Sequence, residues 1–197
     1  MKGTIYLIRI KDKKIVPALC LDVFSDGFLF AQLRKANEED IFNTLDRETM
    51  ERINRGRPEK DHIKIREKYE INTVFIDQPP GLDSKSVVMV KKRYKVQSHE
   101  IIKEIAKVPE EIVIKCHQLI EQINKIDKLQ RELHYLKKKV QLAQFNNERY
   151  SHYEARIDEI LEEIGYPTRR RGSRRAYLNY REVPTKGYIK IYRGGRT

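Results

Sequence analysis

Between Ile112 and Ile164 an apolar residue recurs at every seventh position, twice over. Ile112, Leu119, Ile126, Leu133 and Val140 form one series, and Leu129, Leu136, Ala143, Tyr150, Ile157 and Ile164 form the other. Seven residues are two helical turns, so the repeat draws one narrow apolar stripe along a helix, a shape that suits another helix better than a sheet. The helix is predicted to open at Pro109, with Glu110 and Glu111 placed where a helix N-terminus favours negative charge, and to stop at Gly165 and Pro167. Unbroken, it would run for about 80 Å at 1.5 Å per residue. Asn147 and Glu154 put polar groups in the stripe, so a break near "FNNERY" is open. Three arrangements fit: a coiled coil between chains, a hairpin within one chain, or an amphipathic helix lying on its own domain.

Upstream, the period changes from seven to two. "GTIYLIRI" at 3 to 10 sets Ile5 and Leu7 on one face and Tyr6, Ile8 and Ile10 on the other, and "IVPALCLDV", the "SDG" turn and "FLFAQL" supply a hairpin. Three consecutive antiparallel strands begin a small barrel or a curved sheet. A helix is predicted from Asn37, its N-cap, to Gly56, and strands at "EINTVFID" and "SVVMVKKRYKV". "SHEIIKEIAKV" reads as a short helix capped by Ser98, and Gly81 in "QPPGLD" reads as a turn. The expected class is therefore mixed β/α: a barrel over 1–108, a long helix or helical hairpin over 109–165, and a tail over 166–197.

The tail holds most of the charge. The net charge is +12, of which +9 falls between Thr168 and Thr197, leaving +3 for everything before it. Arg169, Arg170, Arg171, Arg174 and Arg175 alternate with tyrosines such as Tyr177 and Tyr180. Arginines suit phosphates and tyrosine rings stack on exposed bases, so the pattern points to single-stranded nucleic acid, RNA before DNA. A tail that only keeps the protein soluble, or one packed on the barrel, is the plainer alternative.

Other chemistry finds little support in the residues. Cys20 and Cys116 sit in apolar contexts and read as buried spectators. His62, His99, His117, His134 and His152 lack ligand spacing, so neither a metal nor a cofactor is expected. There is no phosphate-binding loop, nucleophile elbow or glycine-rich nucleotide fingerprint. The N-terminus lacks a signal peptide's apolar core and no run is long enough to span a membrane, so a cytoplasmic setting is the expectation.

Taken in order, "GTIYLIRI", "VPALCLDV", "FLFAQL" and "SVVMVKKRYKVQSHEIIKEIAKVPEEIVIKCHQLI" resemble the MazF/PemK family of toxin-antitoxin ribonucleases over about residues 1 to 123. The resemblance implies an SH3-like barrel, a homodimer, a protein antitoxin, and metal-free cleavage of single-stranded RNA. It also implies an Arg just before the strand-two proline and a Thr or Ser after strand three. Here those positions hold Val16 and, near the second, Arg34. Cleavage needs a base for the 2′-hydroxyl, an acid for the leaving oxygen and a cation for the phosphorane. Valine supplies none of these. Lys14 and Arg34 are the candidate catalytic groups of a rewired site, with Lys13 and Lys35 beside them as phosphate contacts. The competing expectation is a non-catalytic nucleic-acid adaptor that oligomerises through its helix.

Overall fold

The computed structural model describes residues 1–10 and 14–166. Two compact units divide the chain, Met1–Lys125 and a second starting at Ile126. The first holds six strands, β1 (Thr4–Arg9), β2 (Ile15–Phe24), β3 (Gly27–Lys35), β4 (Thr73–Asp77), β5 (Ser86–Val96) and β6 (Ile101–Lys107), with helices α1 (Glu38–Phe42) and α2 (Arg47–Arg55) between β3 and β4. They form one antiparallel sheet in the order β4-β5-β3-β2-β1-β6. Helices α3 (Glu110–Phe145) and α4 (Ser151–Ile164) follow. The class is mixed β/α, as the change of period predicts.

Alternation along the strands builds two apolar faces. Ile5, Leu19, Leu21, Ala31, Leu33 and Val88 share one face with Val113, Cys116, Leu119 and Ile123 from the start of α3. Tyr6, Ile8, Val16, Ala18, Cys20 and Phe30 share the other, where the Tyr6 and Phe30 rings meet edge to face at 5.9 Å. Both cysteines are free and buried. Burial pushes the thiol of Cys20 up to about 11 and that of Cys116 up to about 12, so neither is poised as a nucleophile.

The segment predicted as a helix from Ser98 is instead a single tight turn, Ser98–Glu100, followed by β6. The turn is capped at Gln97 and not at Ser98: the Gln97 N–H donates to the Glu100 carboxylate at 2.8 Å. What overrides helix formation is the open edge of β1. Its backbone groups need partners, and a run rich in β-branched Ile101, Ile102 and Ile105 supplies them, pairing from Thr4 opposite Lys107 to Ile8 opposite Ile101. The predicted helix over 37–56 is also corrected, into α1 and α2. Asp46 interrupts it by accepting the Thr49 N–H at 2.8 Å and so capping a second helix.

Gly81 does more than turn the chain. At φ +103° it sets its backbone so close to β6 that an added Cβ would lie 2.2 Å from the Ile105 carbonyl oxygen. The loop after β4 therefore reaches β6, the opposite edge of the sheet, and the sheet curls on itself.

In the second unit, Leu129, Leu133, Leu136 and Val140 of α3 and Ile157, Ile160 and Ile164 of α4 are buried. Arg156 of α4 clasps Glu132 of α3 at 2.8 and 3.3 Å, so α4 returns alongside α3. The break lies at "NNERY", where Asn147 takes φ +56°, a conformation asparagine tolerates. Of the three arrangements the repeat leaves open, the described residues of this unit form the hairpin. Gly165, left-handed at φ +83°, ends α4.

Candidate nucleic-acid interface

Antiparallel pairing decides which candidate residues can meet. Ala18 of β2 faces Gln32 of β3, and two residues further along that register Val16 comes level with Arg34. Lys14 and Arg34 thus lie at the same end of the sheet. Lys14 is exposed, and its carbonyl accepts the Ile10 N–H at 2.9 Å across the β1–β2 turn. Lys35 is exposed at the end of β3. Val16 is only 3% exposed and sits opposite Ile8 in the apolar face. The position that the family resemblance assigns to an arginine is here a core residue. Lys13 and the tail residues Arg169, Arg170, Arg171, Arg174, Arg175, Tyr177 and Tyr180 lie outside the described residues.

Arg34 has an internal partner. Its guanidinium donates to both Asp40 carboxylate oxygens, at 2.6 and 3.0 Å, and to the Lys35 carbonyl at 2.9 Å. Asp40 also accepts from the Asn37 N–H at 2.9 Å and from Arg66 at 2.8 Å, and Arg66 reaches Glu39 at 3.1 Å. The Asp40 side chain is 1% exposed. Burial alone would raise its pKa, but the donors from Arg34, Asn37 and Arg66 outweigh that and hold it at about 2. Two arginines and two carboxylates make this cluster neutral in sum. Beside it, Asn43, Thr44, Arg66, Ile71, Thr73 and Phe75 line a cavity of about 60 Å³, room for a few waters rather than a nucleotide.

Of this cluster, Arg34 is named from sequence as a catalytic candidate and Asn37 as an N-cap; the carboxylate between them had a local signal that was not used. Asn37 as an N-cap with Asp40 three residues on is a capping box, which places Asp40 at the mouth of a helix beside the end of β3. Nothing in the charged stretch 57–68 signals that Arg66 returns to the same carboxylate. A second group of cations was not anticipated as a feature. The β3–β5 register jumps from Ala31 opposite Arg93 to Gln32 opposite Met89, so residues 90–92 lack a partner in β3; Val90 stays in the core, whereas Lys92 and Arg93 are exposed. Beside them Tyr94 donates to Gln32 at 3.1 Å.

No protein-family model and no curated protein matches this sequence. Among solved structures, the Mycobacterium tuberculosis toxin MazF-mt6 is similar at 12% identity, over 62% of this chain and 96% of that one, with a TM-score of 0.38. No helix among the described residues is long and apolar enough to cross a membrane.

Proposed function

We propose that this chain is a non-catalytic adaptor on a MazF/PemK-like scaffold that acts by binding single-stranded RNA. The observation that carries the reading is the segregation of charge: +9 of a net +12 lies in thirty arginine- and tyrosine-rich residues at one end of the chain. Displacing counterions from phosphates favours such a segment on a polyanion, and its rings add sequence-tolerant stacking. The first unit carries exposed cations of its own, Lys14, Lys35, Lys92 and Arg93. A homodimer, a protein antitoxin and a cytoplasmic setting belong to the same proposal, through the sequence resemblance.

Binding without cleavage is the form of this function the geometry favours. A phosphorane needs an unengaged cation, and Arg34 already has Asp40 in its fork. Val16 offers neither charge nor proton. The second reading, a metal-free endoribonuclease, draws its support from Lys14 and Arg34 sharing one end of the sheet. Incubating the purified protein with RNA separates the two. The favoured reading predicts a gel shift, no fragments ending in cyclic phosphate and no growth arrest on expression. Cleavage that is lost in Lys14→Ala and Arg34→Ala would establish the second reading. Absence of both a shift and cleavage at physiological salt would end both.

A further inference from the structure

The outward face of α3 beyond Ile126 carries groups the hairpin does not use. Tyr135, Leu142 and Phe145 are 56%, 58% and 86% exposed, and their spacing by seven and three positions sets them on one side of the helix, away from the buried Leu133, Leu136 and Val140. Lys138 and Lys139 lie between them, and the Lys139 ammonium rests 5.5 Å from the Tyr135 ring centroid. Lys128 and Arg131, both exposed, continue the face toward the helix start. Two carboxylates lie at its margins, and the nearer, Glu132, also feels the charge of Lys128. Glu132 is held by Arg156 and Asp127 has an interaction of its own.

We propose that this face is a second binding surface for single-stranded RNA, in which Lys128, Arg131 and Lys138 contact phosphates while Tyr135 and Phe145 stack on bases. The inference rests on the RNA-binding reading above. Charge selects the occupant. A second copy would bring the same cations face to face, which costs free energy instead of gaining it. A partner helix needs an apolar residue every three or four positions, and those slots hold Lys128, Arg131 and Lys138. RNA meets both demands at once, because its phosphates answer the cations and its bases cover the rings. Tyr135 and Phe145 are about 15 Å apart along the axis at 1.5 Å per residue, so more than one base fits between them.

The chain has no tryptophan, so Phe145→Trp in the full-length protein installs a single reporter. Titration with a short oligouridylate is expected to change its emission saturably. Tyr135→Ala with Phe145→Ala is expected to weaken binding by about tenfold or more, while Tyr135→Phe keeps the native affinity. Lys128→Gln with Lys138→Gln is expected to flatten the salt dependence by about 1.4 log units per decade. A matched deoxyoligonucleotide tests whether the 2′-hydroxyl matters. RNA binding by the native chain with unchanged emission and an unchanged slope in these variants would overturn the proposal and leave the parent reading standing. So would an emission change caused by self-association without RNA. A native chain that binds no RNA defeats both.

Discussion

Two regions of this molecule that gather arginine or lysine side chains are built on opposite plans. At the end of the sheet, Arg34 and Arg66 converge on Asp40, and Glu39 takes the remaining Arg66 nitrogen. Charge there is spent internally, and its work is to pin the α1 segment to β3. On the outer face of α3, Lys138 is exposed and Lys139 covers a tyrosine ring. Charge there is left facing solvent beside aromatic groups. Counting arginines and lysines would rank the two regions alike. Their partners separate a structural clasp from a surface that can bind a polyanion.

That contrast makes the Asp40 clasp at the end of the sheet the more vulnerable region. Asp40→Ala leaves two guanidinium groups without their shared carboxylate and is expected to cost about 4 kcal/mol of stability, measured by urea unfolding. The same clasp sets an acid limit. Because the folded pKa of Asp40, about 2, lies below its unfolded value, its contribution is fully present above about pH 4. It is lost as the pH falls through about 2, a loss of roughly 2 kcal/mol. Asp40→Ala should lack this part of the acid limb, and an identical acid profile in the variant would show that the clasp does not stabilise the fold. Leu133→Ala tests the hairpin instead. A residue 1% exposed leaves a cavity costing about 3 kcal/mol. If the unit that starts at Ile126 unfolds separately, calorimetry should place that loss in one transition and the Asp40→Ala loss in another. Gly81→Ala sits third, at about 2 kcal/mol, because the new methyl meets the Ile105 carbonyl at a φ of +103°.

Much of the fold could be read from periodicity alone. The two-residue period at Ile5, Tyr6 and Ile8 assigned faces that the sheet uses, and the seven-residue period gave the buried stripe of α3. Reading failed where a tertiary partner decided the outcome. Ser98 to Lys107 carries a cap signal and helical spacing, yet β1 needed an edge partner and took the isoleucines as a strand. Asp46 was one more acid in a charged helix until its hydrogen bond to Thr49 split it. The site was harder still. Val16 and Arg34 were named from sequence, but whether a guanidinium is free depends on a carboxylate six residues away and on Arg66, which no local pattern connects to it. Tyr135 and Phe145 fall outside the heptad series, so only the pairing of α3 with α4 marks them as facing outward.

The central claim is that single-stranded RNA is held by the cations of the tail and not by Arg34, whose fork Asp40 already fills. The most direct measurement is the salt dependence of the affinity of the intact chain for a single-stranded oligoribonucleotide, with and without Arg169, Arg170, Arg171, Arg174 and Arg175 changed together to Gln. A steep native slope that falls by about 3.5 log units per decade in the variant, and stays as it is in Arg34→Ala, is the predicted result. A slope that ignores the tail and collapses in Arg34→Ala would contradict the account.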